Sequence, residues 1–110
     1  MDLFAYGALT NARLVRDLTG REFPMSPAVL HGFAKVFNAA TGYFVVRPAE
    51  GGAVSGKLIR ALDAAALERL DRYEGRLYRR ITVRARDERT GAVQPAELFI
   101  PADAEPKPNG

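Results

Sequence analysis

In the stretch LDRYEGRLYRR, residues 70–80, Glu74 stands where a helix should present its apolar face. At roughly 100° per residue with Leu67 at zero, Leu70 falls at about 300°, Ala66 at about 260° and Tyr73 at about 240°, which defines a buried arc. Glu74 falls at about 340°, inward, while Glu68, Arg69, Asp71 and Arg72 take the opposite side. A carboxylate so placed is partly desolvated and meets the negative end of the helix dipole, and both effects raise its pKa. General acid/base chemistry near neutral pH needs that rise, because a carboxylate titrating at roughly 4.3 is a weak base. An ion pair with Arg76, Arg79 or Arg80 at the helix end is the competing use of the same side chain. Spacing leaves both open.

A possible complement lies in YGAL, residues 6–9. It ends an apolar run and precedes a helix start, so Gly7 lets the backbone turn and the amides of Gly7, Ala8 and Leu9 can converge as an anion or oxyanion cradle. The stretch is neither a Walker loop nor a dinucleotide fingerprint. Other candidates are thin. His31 is the only histidine and lacks metal-ligand neighbours, which favours a structural or surface role. Asp71 and Glu74 stand at i and i+3 without a histidine or a further acid cluster, so no metal site is read there. Ser26 and Ser55 have no triad context. With no cysteine in the chain, thiolate zinc sites, disulfides and a cysteine nucleophile are excluded together.

The elements that must carry these residues follow from periodicity and punctuation. Leu3 to Tyr6 reads as a strand stopped by Gly7. Thr10 or Asn11 caps a first helix with Leu14, Val15 and Leu18 at helical spacing, and Gly20 stops it. REFPMSPAVL, residues 21–30, reads as a loop, and residues 28–38 as an irregular extended stretch with Gly32 at a bulge. GYFVVRP and AVSGKLIR read as two strands of a hairpin turned by AEGG, residues 49–52. Asp63 caps a second helix, Ala64 to Glu74, stopped by Gly75. Strands near 78–86 and 93–100 form a last hairpin, and residues 102–110 read as a loose tail. This order predicts one α+β domain over residues 1–101, built on a curved or barrel-like mixed sheet with flanking helices.

Composition agrees with one soluble domain: 110 residues, 47% hydrophobic and 26% charged, close to globular averages. MDLFAYGALT has an acid rather than a basic leader and no long apolar run, so neither a signal peptide nor a membrane span is expected, and the protein is read as cytoplasmic. Net charge is +3, with basic residues concentrated in RLYRRITVRARDER. A nucleic-acid surface is therefore a third reading, but Arg80, Arg84 and Arg86 alternate with Ile81, Val83 and Ala85 and no aromatics interleave them. That pattern is a half-buried strand with a solvated basic face.

FAYGALT, PAVLHGFAKVF, TGYFVV, AVSGKLI and LERLDRYEGRLYRRITV, in this order, resemble the gamma-glutamyl cyclotransferase-like superfamily, especially its small bacterial members. The resemblance spans most of the chain. It implies a barrel-like sheet with a pocket between the Tyr6–Leu9 turn and Glu74. It also implies a reaction in which the α-amine of a γ-glutamyl compound attacks its own γ-carbonyl, closing 5-oxoproline and expelling an amine or amino acid. By carry-over, Glu74 is the acid/base, the backbone of Gly7, Ala8 and Leu9 with Tyr6 nearby holds the glutamyl group, and Tyr78 lines the pocket. No metal or organic cofactor is implied. The partner is a small γ-glutamyl molecule, with no membrane, and the chain is a monomer or homodimer. Ala8 stands where many members carry Ser or Thr, and a non-catalytic ligand-binding protein of the same fold is the alternative.

Overall fold

The computed structural model describes residues 1–103. Within them, strands β1 (Leu3–Ala5), β2 (Met25–Asn38), β3 (Tyr43–Ile59), β4 (Tyr78–Asp87) and β5 (Val93–Pro101) close into a barrel in the order β1-β3-β2-β4-β5. Neighbours are antiparallel, apart from the parallel β5–β1 seam, where Leu3 faces Glu97. This is the α+β barrel with flanking helices that the sequence predicts.

Two helices cover one side, α1 (Ala12–Thr19) and α2 (Ala64–Glu74). Each starts where a side chain can occupy the free amides of a first turn. Asn11 accepts from the Arg13 and Leu14 amides at 3.0 and 3.3 Å, and Asp63 accepts from the Ala66 amide at 2.8 Å. Gly20 and Gly75 stop them.

The pleat sorts the apolar residues into two cores. Phe4, Leu30, Val46, Leu58, Leu98 and Ile100 fill the barrel, while Leu3, Ile59 and Phe99 face outward onto Leu67, Leu70 and Val15 of the helices. β1 and the second half of β5 are thus buried on both faces, which explains why Leu3–Ala5 and Leu98–Pro101 are apolar without alternation.

Two sequence expectations fail here. Residues 25–27, assigned to the loop alone, open β2, and Pro27 lies in the strand opposite Lys57; the extended reading of residues 28–38 holds. Residues 42–48 and 53–60 do not form a hairpin with each other. Residues 43–48 and 53–59 both belong to the 17-residue β3, whose two halves pair with the two halves of β2: Phe33–Asn38 faces Tyr43–Pro48, and Met25–His31 faces Ala53–Ile59. AEGG is a bulge, with Ala49 to Gly52 standing opposite Gly32 alone. Gly32 and Gly51 take φ of +86° and +76°, a conformation glycine adopts without steric cost. The true turn is at residues 39–42, where the Thr41 and Gly42 amides donate to the Asn38 carbonyl at 3.2 and 2.8 Å.

Gly56 sets how closely β1 approaches β3. A Cβ there would lie 2.2 Å from the Ala5 carbonyl oxygen and 2.8 Å from Phe4 Cζ. Gly56→Ala is expected to destabilise the protein by about 1–3 kcal/mol, the usual cost of overpacking a filled interior, read as a lowered urea midpoint. An unchanged midpoint would show that β1 does not pack this closely on β3.

One barrel end is closed by polar groups. Arg60, just past β3, donates from Nε to Ser26 Oγ at 3.2 Å and from one terminal nitrogen to Asp2 and Gln94 at 3.3 Å each; the other bonds Asp87. The Asp87 side chain is only 2% exposed, so this shared guanidinium supplies the compensation that a buried carboxylate requires. The opposite end, at the finish of β1 and β5 and the start of β4, is open.

The proline-rich segment expected to be a loose tail falls largely on residues 104–110, outside the described residues. Ala102, where it was expected to begin, donates its amide to the Leu77 carbonyl at 2.8 Å.

Candidate functional site

The open end holds a cleft of about 320 Å³. Tyr6, Gly7, Ala8, Leu9, Glu74 and Tyr78, the six residues singled out in the sequence, all line it. Phe4, Ala5, Tyr43, Phe44, Tyr73 and Phe99 complete the wall. The volume is at the low end for small-molecule sites.

β1 delivers the first side of the cleft. After Ala5 the chain leaves the sheet and makes a single 3-10 turn, Ala8–Thr10, before α1. The Thr10 and Asn11 amides close that turn on the Gly7 and Ala8 carbonyls at 3.0 and 3.1 Å. The amides of Gly7, Ala8 and Leu9 precede the bonded ones, which is where a helical turn leaves donors without internal acceptors. Gly7 and Ala8 are exposed, whereas the Leu9 side chain is anchored in the core between barrel and helices. Tyr6 is fixed more firmly than the sequence suggests: its hydroxyl donates to the Phe99 carbonyl at 2.9 Å, tying β1 to β5. Its phenol pKa is pushed well up, first by burial and then by the Glu74 and Tyr78 groups beside it.

α2 delivers the second side. Ala66, Leu67 and Leu70 are buried as the arc predicts, and Glu74 at the helix end is half-buried. Tyr73, expected on the buried arc, is instead 45% exposed. It sits in the last turn, beyond the packed Leu67–Leu70 segment, and forms part of the cleft mouth.

The competing ion-pair reading of Glu74 can be judged by where the arginines go. Arg80 bonds Asp71 through Nε and a terminal nitrogen at 2.7 and 3.1 Å, and reaches Glu97 at 2.6 Å with its other terminal nitrogen. Glu97 also accepts from Thr82 Oγ1 at 2.8 Å. Arg80 is therefore a clamp between α2 and the barrel, not part of the solvated face expected for it, which Arg84 and Arg86 do occupy. Among the described residues Glu74 itself has no ion pair. Burial raises its carboxyl pKa above the usual range, and Tyr78, at the start of β4, is pushed up by burial, by Glu74 and by Tyr43. The arrangement sets a half-buried carboxyl of raised pKa beside two phenols, in one cleft with the Gly7–Leu9 turn.

His31 is exposed, and Ser26 is a buried acceptor in the Arg60 cluster. Among the described residues no group of three or more His, Asp or Glu could hold a metal ion, and no helix is long and apolar enough to cross a membrane.

Sequence reasoning missed the aromatic wall. Tyr43 and Phe44 were visible as adjacent aromatics opening a strand, but only the β2–β3 pairing carries them to the cleft.

A family model described as "Gamma-glutamyl cyclotransferase, AIG2-like" matches residues 3–109. Protein AIG2 C of Arabidopsis thaliana is 30% identical over 82 residues, 74% of this chain and 50% of that protein; the chain thus spans about half the length of this curated relative. The solution structure of another Arabidopsis thaliana protein superposes with a TM-score of 0.86 at 25% identity, covering 93% of this chain and 62% of the other. A solved structure named gamma-glutamyl cyclotransferase gives a TM-score of 0.75 at 18% identity over 96% of this chain and 68% of the other, a likeness of fold.

Proposed function

The chain belongs to the gamma-glutamyl cyclotransferase, AIG2-like family, and from that membership we propose that it converts a γ-glutamyl amine or γ-glutamyl amino acid to 5-oxoproline and a free amine, with Glu74 as general acid/base. The observation that carries the proposal is the position of Glu74: half-buried, without an ion pair among the described residues, in one cleft with the Gly7–Leu9 turn.

The reaction is a transfer within one molecule. The substrate's α-nitrogen attacks the γ-carbonyl carbon, the new C–N bond closes the five-membered ring, and the original amide C–N bond breaks. No water is consumed. Glu74, ionised, takes a proton from the α-ammonium as the nucleophile forms, the attacking nitrogen gives up a second as it becomes the lactam N–H, and both protons end on the departing amine, so the carboxyl ends as it began. A raised pKa suits both halves of that cycle, because the group must be a competent base first and an acid afterwards. The backbone amides of Gly7, Ala8 and Leu9 hold the glutamyl group and steady charge on its oxygens. With nucleophile and electrophile tethered, confining the substrate to a cyclisation-ready shape supplies much of the acceleration. Tyr6, its proton committed to Phe99, shapes the floor, and Tyr78 lines the side.

The test is 5-oxoproline release from a panel of γ-glutamyl amines, γ-glutamyl amino acids and glutathione. Release from at least one member is expected. Saturable binding of the panel with no release from any compound would instead make this a ligand-binding relative.

A further inference from the structure

The outer half of the cleft differs from the inner half in chemistry. Tyr43 and Phe44 from the tip of the β2–β3 hairpin and Tyr73 from α2 form its mouth, with 70%, 55% and 45% of their surfaces exposed. Phe44 is not loose: the Phe37 ring packs edge-on against it at 5.4 Å and 68°, and the Lys35 ammonium lies 5.2 Å from its centroid. Among the described residues that line the cleft, Glu74 is the only charged one; Lys35, on the Phe44 ring, is not in the lining.

Resting on the cyclotransferase reading, we propose that the leaving side of this cleft selects amines that carry an aromatic or alkyl group and no carboxylate, with Tyr43, Phe44 and Tyr73 as the specificity-determining residues. The glutamyl half of the substrate has its donors at the Gly7–Leu9 turn. The departing half meets only rings and the Glu74 carboxylate. An apolar group buries exposed aromatic surface and stabilises the complex by about 25 cal/mol per Å² covered. A carboxylate in the same place loses water, finds no lining cation and faces a like charge. The bonds made and broken are those of the parent reaction, since only the group on the departing nitrogen changes.

Three matched compounds isolate the two effects: the γ-glutamyl amides of 2-phenylethylamine and ethylamine, and γ-glutamylphenylalanine, which adds only a carboxylate to the first. For the wild type, kcat/KM is expected to be about tenfold higher for the phenylethylamide than for either of the others. Phe44→Ala is expected to lower the phenylethyl-to-ethyl ratio severalfold. Tyr43→Ala, a change at a largely exposed position, probes the same wall if the first variant fails to fold. Equal kcat/KM for γ-glutamylphenylalanine and the phenylethylamide, or a ring preference untouched in both variants, would overturn the assignment. If none of the three releases 5-oxoproline while another member of the panel does, the assignment is overturned; if nothing in the panel does, the cyclotransferase reading falls by itself. Dissociation constants from calorimetry then decide the selectivity: the same order of affinities upholds it, and equal affinities reject it.

Discussion

Glu74→Gln is expected to lower 5-oxoproline release by about 10²–10⁴-fold, the usual contribution of a positioned acid/base, with the fold retained. Glutamine keeps the size and loses the proton exchange. In the wild type the rate should fall as pH drops through the Glu74 pKa, because the base must start ionised; burial places that limb above the ordinary value of 4.5. Stability should move the other way. The unfolded chain releases the Glu74 proton near its ordinary value while the folded protein still holds it, so the folded state binds more protons between the two pKa values and wild-type stability falls as pH rises across that window. The penalty is absent below the unfolded pKa and complete above the folded one. Glutamine carries no such penalty, so Glu74→Gln should gain on the wild type in urea denaturation as pH rises above the ordinary carboxyl pKa of about 4.3. A variant as active as the wild type would remove Glu74 from the chemistry.

Arg80→Ala is expected to reduce both stability and turnover. The guanidinium holds Asp71 on α2 and Glu97 on β5 together, and Glu74 lies one turn beyond Asp71. Removing it leaves Glu97, whose side chain is 11% exposed, with Thr82 as its remaining side-chain partner. The loss should be about 2 kcal/mol, below the ~3–5 kcal/mol of a fully buried pair, since Arg80 and Asp71 keep part of their surface in water. With the end of α2 released, turnover should fall about 10²-fold, the scale of an ångström of misplacement. Arg80→Lys should recover little, because one ammonium cannot reproduce the two-pronged bond to Asp71 and reach Glu97 as well. A lost midpoint with unchanged kcat would mean that the clamp serves the fold alone.

The sequence announced those features that depend on local chemistry. Helix caps at Asn11 and Asp63, stops at Gly20 and Gly75, and the inward aim of Glu74 depend on residues within a turn or two of each other. What it hid depends on partners far along the chain. AEGG has the composition of a turn, and only the pairing of both halves of β3 with β2 makes it a bulge. Arg80 looked like one arginine of a solvated row, because its acceptors Asp71 and Glu97 come from two other elements. Tyr43 and Phe44 read as strand residues with nothing to say which opening they reach. The family resemblance joined the turn at Gly7 to Glu74; spacing alone did not.

The Tyr6–Phe99 hydrogen bond and the β1–β5 seam span nearly the whole chain. During synthesis, residues 6–9 leave the ribosome long before β5 exists, so one wall of the cleft must wait for the other. Local pairing can build the β2–β3 hairpin early, but closing the barrel carries the loop entropy of its most distant contact. A polypeptide arrested before β5 therefore has Glu74 and the glycine turn and still lacks the cleft between them, so any proton-transfer activity begins only when synthesis has passed Phe99.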